Sequence, residues 1–143
     1  MYRRIMVGTD GSEYSDKAVD HALELCRATG AELIAVSVVD TRSLESIKEI
    51  DKKVYDKAEE DLELLAIEIL DKVEEKASRE NVPLKRIIQK GDPASVLVEL
   101  AKRENADLLV VGTRGLLGVK RVMLGSSTQK IVRWSGVPVL VVH

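Results

Sequence analysis

ADLLVVGTRGLLGVKRVMLGSSTQKIVRWSGVPVLVV, residues 106–142, decides the fold. Its two ends, ADLLVVGT and VPVLVV, are almost continuously apolar. A strand with one wet face alternates apolar and polar residues, so these two are covered on both faces, as strands of parallel sheets are. Parallel neighbours need a crossover, usually a helix, and Ser126–Trp134 reads as that helix. Before it, Gly112, Gly115, Gly118 and Gly125 put four of the chain's nine glycines within fourteen residues. Glycine is entropically expensive and is best explained where backbone turns sharply or lies close to something.

The rest of the chain repeats the strand–helix alternation. Residues 2–9 (YRRIMVGT) form a short apolar run ending in the turn-rich GTDGS. From Ser12 onward Ala18, Val19, Ala22, Leu23 and Cys26 recur at helical spacing, and Gly30 closes the helix. Cys26 lies on the inward stripe, a small buried hydrophobe rather than a nucleophile. AELIAVSVV (31–39) is the second strand and LKRIIQK (84–90) the third, followed by Asp92 as N-cap and Pro93 at the first helical position.

Within residues 41–81, Leu44, Ile47, Ile50, Val54, Ala58, Leu62, Leu65, Ile69, Val73 and Ala77 recur every three or four positions. One helix of nearly forty residues is long for this chain, so the part before about Val54 is expected to be a loop or a separate mobile helix. The stripe suits packing on the chain's own sheet, or, more sharply read, a coiled-coil partner. Five strands joined by helices, with no hairpin, predict one domain over residues 1–143. The fold class is α/β, an open five-stranded parallel sheet ordered 3-2-1-4-5 with helices on both faces.

In such sheets ligands bind beyond the carboxyl ends of the strands, where strand order reverses. Strands one and four flank that point, so GTDGS (8–12) and GTRGLLGVKRVMLGSST (112–128) face one crevice. Gly112 and Gly115 let main-chain amides approach a bulky anion. Gly125, Ser126, Ser127 and Thr128 open the last helix, whose N–H groups and positive dipole end favour phosphate; Ser126 also suits a plain N-cap. Arg114, Lys120 and Arg121 could neutralise a polyphosphate or form a solvated basic loop. Asp10, beside Thr9, suits a ribose hydroxyl or a Mg²⁺ ion, or helix capping with Glu13.

Composition narrows the alternatives. Net charge is −2, from 22 basic and 24 acidic residues, and aromatics are 3% with no Phe. That balance gives no general attraction to nucleic acid or anionic lipid, and no platform for stacking bases. No apolar run reaches membrane-spanning length, and the N-terminus reads as a strand rather than a signal peptide. One cysteine and two histidines, His21 and His143, support neither a zinc site nor a Ser/His/Asp triad. The G-x-x-x-x-G-K-[ST] P-loop and the G-x-G-x-x-G fingerprint after the first strand are missing. The 32% charged content fits heat adaptation or one long solvated helix equally.

Gly112-x2-Gly115-x9-Gly125-Ser126 matches the G-2x-G-9x-G-[ST] signature of ATP-binding universal stress proteins, which the chain resembles throughout. RIMVGTDGSEYSDKAVDHAL, VSVVD and KGDPASVLVELAKRENADLLVVGTRG carry the likeness outside the loop. The resemblance implies a Rossmann-like, adenine nucleotide alpha hydrolase-like sheet that holds ATP, or ADP or AMP, with Mg²⁺. It implies that Asp10 lies near the ribose or metal, with Thr9 in the binding set, and that Val38 meets adenine through its backbone. Val111, Gly112, Arg114, Gly115, Gly125, Ser126, Ser127 and Thr128 would then hold ribose and phosphates. Gly118 is an extra glycine in that loop, and the course of residues 41–51 is not set by the family. The resemblance further implies a homodimer joined through the last strands. The lone Cys26, with an N-terminus that reads as a strand, leads to the expectation of a cytoplasmic protein. Two functional expectations follow. One is a nucleotide-dependent regulatory and stress-response module acting on an unidentified protein partner; the other is a slow Mg²⁺-dependent ATPase or nucleotide-transferring enzyme. A receiver-like signalling domain would need more acids at the strand ends than GTDGS supplies.

Overall fold

The computed structural model describes residues 1–113 and 125–143. The elements are β1 (Arg4–Gly8), α1 (Glu13–Thr29), β2 (Glu32–Val39), α2 (Glu45–Lys48), α3 (Lys52–Arg79), β3 (Leu84–Lys90), α4 (Pro93–Arg103), β4 (Leu108–Gly112), α5 (Ser126–Trp134) and β5 (Val139–Val142). All four strand pairings are parallel, as the apolar runs predict, and the order is the expected β3-β2-β1-β4-β5. Ile5 of β1 sits between Leu33 and Leu108, at the centre of the sheet.

Alternation along the strands divides the core into two layers. Ile5, Val7, Leu33, Ala35, Leu108 and Val110 point to one face, where α1 and α3 cover them with Val19, Leu23, Cys26, Leu70 and Val73. Met6, Ile34, Val36, Leu109 and Val111 point to the other, beneath Leu97 and Leu100 of α4 and Ile131 of α5. Leu70 and Leu100 are fully buried, and truncating such a leucine to alanine costs about 2–5 kcal/mol. Cys26 is buried as expected.

Helix starts follow local chemistry. Ser12 caps α1 by accepting from the Ser15 N–H, and Gly30 ends it at φ 76°, the left-handed region that glycine tolerates best. Asp92 caps α4 by accepting from the Ser95 N–H, with Pro93 behind it.

The long charged segment departs from a single continuous face. A 3₁₀ turn at Arg42–Leu44 and the one-turn α2 precede α3, which begins where Asp51 accepts from the Lys53 and Val54 N–H groups. Leu44, Ile47 and Ile50 therefore lie outside α3, and Ile50 is 85% exposed. Length explains why. At 28 residues, α3 is about 42 Å long. The eight residues of β2 span about 27 Å. The sheet lies beneath the later turns, where Leu70, Val73 and Ala77 are buried against it, while Val54 in the first turn stays exposed. Leu65 is exposed beside the buried Ala66 because it points away from the inward stripe. Tyr55 is buried in the overhanging part, with the Lys48 ammonium 5.4 Å above its ring.

Candidate functional site

The sheet's carboxyl edge has a step. β1 ends at Gly8, opposite Val36, while β2 runs on to Val39, paired there with β3. In a parallel sheet each residue turns its N–H and C=O to the same neighbour, and the side alternates along the strand. The Val36 carbonyl accepts from the Thr9 N–H at 2.9 Å, so Val36 faces β1; the Val39 carbonyl accepts from Gly91 on the other side. Val38 shares the sense of Val36. Its main-chain donor and acceptor therefore point over the end of β1, past the last residue that β1 pairs.

The β1–α1 turn lies below that step. The Ser15 hydroxyl donates to the Ser12 carbonyl at 3.1 Å and accepts from the Asp10 N–H at 3.3 Å. With its one hydrogen so used, the 3.1 Å contact between the Thr9 and Ser15 hydroxyls has Thr9 as donor. Thr9 and Ser15 are buried, so Thr9 serves to build the turn. Gly11 adopts φ 80°, and a Cβ there would lie 3.1 Å from the Ile69 side chain. Asp10 is half-buried, and its Oδ1 accepts from the Ser12 N–H at 2.9 Å. Capping of α1 belongs to Ser12 rather than to an Asp10–Glu13 pair, because Ser12 holds the extended conformation that precedes the first turn.

Across the crevice, β4 hands over to α5. A Cβ on Gly112 would lie 2.8 Å from both the backbone carbon and the oxygen of Tyr14. The packing of β4 against the start of α1 by itself requires the bare Cα. The Thr128 hydroxyl donates to the Gly112 carbonyl at 2.8 Å, so its hydrogen is committed within the protein and is not an extra phosphate donor. Gly125 is the N-cap of α5 and Ser126 its first residue, so Ser126 is not the cap. Its N-cap, Gly125, has no side chain to accept from the first turn, and the N–H groups of that turn have no acceptor within α5. Ser126 is exposed and Ser127 half-buried beside them; Val111 is buried beneath, in the layer under α4 and α5. Arg114, Gly115, Gly118, Lys120 and Arg121 lie outside the described residues.

A charged cluster that the motif does not contain borders the Val38 end. Arg42 donates to both Asp40 oxygens at 2.8 and 2.7 Å and to Asp92 Oδ1 at 2.6 Å. Lys130 of α5 lies 3.8 Å from Asp92 Oδ2. The Arg42 guanidinium holds the Asp40 carboxyl below its usual range. Burial raises Asp92, but the Ser95 N–H and hydroxyl with Lys130 and Arg42 outweigh it, and the net shift is downward. Asp92 was legible as a cap from Pro93; its link to Arg42, fifty residues away, has no local signal.

The donor set fits a nucleotide better than an isolated cation. Among the described residues no group of three or more His, Cys, Asp or Glu is placed to hold a metal ion. Asp10 supplies one carboxylate, and a Mg²⁺ there would take its other ligands from water and phosphate oxygens, as Mg²⁺ commonly does. A helix start without an N-cap side chain and an open main-chain edge across one crevice suit an anionic tail joined to a flat ring. No helix among the described residues is long and apolar enough to cross a membrane.

Comparison with known proteins agrees with this geometry. The model of the universal stress protein family matches residues 1–143. Universal stress protein YxiE of Bacillus subtilis is 35% identical over 148 residues, covering 100% of each chain. The solved structure of the protein MJ0577 superposes with a TM-score of 0.90 at 27% identity, covering 99% of this chain and 96% of that one. A universal stress protein solved in complex with cAMP superposes with a TM-score of 0.70 at 31% identity, covering 99% and 97%.

Proposed function

The chain belongs to the universal stress protein family, and from that premise we propose that it is an ATP-binding regulatory module. The observation that carries the reading is the stepped crevice. The Val38 main chain offers a donor and an acceptor at one side, and the start of α5, whose N-cap Gly125 brings no side chain, offers first-turn N–H groups at the other. Adenine meets Val38, Asp10 lies by the ribose or a phosphate-bound Mg²⁺, and Ser126 and Ser127 with the first-turn amides take the phosphates. Arg114 and Gly115 complete the set through the sequence signature alone. The cAMP complex of a relative supports an adenine nucleotide as the ligand class.

Nucleotide occupancy, on this reading, changes the protein's surface for a partner and so its part in a stress response. The described residues offer main-chain donors and hydroxyls for binding rather than a general base poised for hydrolysis. The edge strand β5 carries half-buried Val139, Leu140 and Val141, and pairing with β5 of a second copy would cover an edge otherwise prone to aggregation. Mass spectrometry of small molecules retained on purification, with calorimetry of Mg·ATP, tests the assignment. Micromolar ATP affinity that falls at least tenfold in Gly125→Val, with the fold intact by circular dichroism, is the expected result. Undetectable binding of ATP, ADP and AMP at millimolar concentration would overturn it, and multiple turnovers per minute without a partner would replace the regulatory reading with the enzymatic one.

A further inference from the structure

A groove of about 770 Å³ runs between α4 and α5 on the outside of the molecule. Ala94 and Val98 line its floor, and Trp134 forms one end. Trp134 is the chain's one tryptophan, in a sequence without phenylalanine, yet it is 68% exposed. Burying so large a ring is worth more than burying any other side chain the protein has, and tryptophan is the residue type most enriched at the energetic centres of interfaces.

Charge narrows what fits. Lys102, Arg103 and Lys130 line the groove with one acid, Glu99. Arg103 is also 3.8 Å from Glu104 and Lys130 3.8 Å from Asp92, which offsets part of that positive charge and leaves Lys102 to set the excess. The cations are held in place. The Lys102 stem crosses Gly136 so closely that a Cβ there would lie 3.0 Å from its Cε. Arg103 reaches Gln89 at 3.4 Å, and Lys130 lies 3.8 Å from Asp92. An apolar floor with an aromatic end and a basic rim is complementary to a helix bearing leucines on one face and acids on its flanks.

We propose that this groove docks an acidic amphipathic segment of another protein. Its apolar side chains lie on Ala94 and Val98 beside Trp134, and its carboxylates meet Lys102, Arg103 and Lys130. The groove is open along its outer side, whereas small ligands occupy clefts that enclose most of their surface. A second copy fits less well. The acidic, partly apolar helix this chain itself exposes is α3, on the opposite face of the sheet. Docking it here would join copies head to tail, a contact that runs on into open chains unless it closes into a ring. The groove also shares α5 with the proposed nucleotide site, whose phosphate end is the same helix's first turn. That coupling rests on the regulatory reading; the docking itself does not, and the two are tested separately.

The test uses Trp134 fluorescence of the full chain without nucleotide. The probe is a synthetic peptide of about fourteen residues with leucines at i, i+3, i+4 and i+7 and glutamates elsewhere. A blue shift saturating with a Kd below about 100 µM at low salt, weakened at least tenfold by Lys102→Glu/Lys130→Glu with unchanged circular dichroism, is the expected result. Trp134→Ala, followed by calorimetry, should lose binding altogether. No shift at millimolar peptide, or equal binding of a scrambled or lysine-substituted peptide, would overturn the proposal. So would self-association of the protein that the double variant abolishes, since the occupant would then be a second copy. Repeating the titration with Mg·ATP reads the coupling alone: an altered peptide Kd supports it, and an unchanged Kd refutes it while leaving the docking result standing.

Discussion

The hydroxyl of Thr128 donates to the carbonyl oxygen of Gly112 at 2.8 Å, and both residues are buried. Beside it the Gly125 N–H donates to the Thr113 carbonyl at 2.7 Å. These two bonds fasten the first turn of α5 to the end of β4 and fix where the helix start points.

Thr128→Val keeps the shape but leaves the Gly112 carbonyl without that partner, at a cost of about 1–3 kcal/mol. At about 2–4 °C per kcal/mol for a chain near this size, the melting temperature should fall by several degrees, while Thr128→Ser stays near the parent. Calorimetric melting of the two variants decides it; a valine variant as stable as the parent would show the bond contributes nothing.

Two glycines of the signature should respond to alanine for different reasons. Gly112→Ala pushes a methyl group into the Tyr14 backbone and should destabilise by about 1–3 kcal/mol. Gly125 has φ −63° and ψ 160°, which any residue adopts, so Gly125→Ala meets no steric clash and should cost only the roughly 0.5–1 kcal/mol by which alanine is the poorer N-cap. Urea unfolding of both variants separates a packing glycine from one available to a ligand.

Acid should unfold the protein below about pH 4. Asp107 accepts from the Arg3 and Arg4 N–H groups, and those bonds hold it below the usual carboxylate range; Arg42 does so for Asp40, and Lys90 for Glu59. A carboxyl whose folded value is depressed stabilises the fold above its unfolded value and loses that contribution as pH falls through the folded one. Asp107→Asn should therefore flatten the acid limb of a stability–pH curve and leave the limb above pH 7 unchanged in shape.

Cys26 should resist thiol reagents. Burial pushes its thiol up to about 11, so thiolate is scarce at pH 8. Labelling in native buffer should be slow, and its rate should rise with urea in step with global unfolding. Rapid labelling without denaturant would show a local opening of α1.

On the proposed reading, Val38 also selects the base. Its carbonyl accepts from the adenine amino group and its N–H donates to the neighbouring ring nitrogen. Guanine presents an acceptor and a donor in the reverse order. Two mismatched groups at about 1–3 kcal/mol each predict at least tenfold weaker binding of GTP than of ATP in parallel calorimetric titrations. Equal affinities would show that the base is not read by this edge.

The strands, the helices covering both sheet faces and the Asp92–Pro93 helix start were legible because each rests on local pattern: unbroken apolar runs, helical periodicity and capping chemistry. Strand order came from the fold topology, not from any local pattern. The α3 stripe was legible as helix but not as core, since periodicity does not reveal where a longer helix outruns its sheet. Val54 shares the three-or-four spacing of Val73 and Ala77, yet only the latter pair has strands beneath it. The crevice was placed by topology alone. What individual residues do there was not: the Gly112–Tyr14 contact and the Thr128–Gly112 bond join positions 98 and 16 residues apart. Glycine and threonine in a phosphate-like motif read as ligand groups until the neighbour that claims them is known.

The step beside Val38 has an evolutionary corollary. A peptide group is common to every amino acid except proline, which lacks the N–H, so codon changes at that position exchange the isopropyl group and leave in place the main-chain edge that, on the proposed reading, meets the base. Base preference would then be insulated from drift, while hydroxyls such as those of Ser126 and Ser127 remain freely editable. Descendants of this chain could shed the polyphosphate and still recognise the ring.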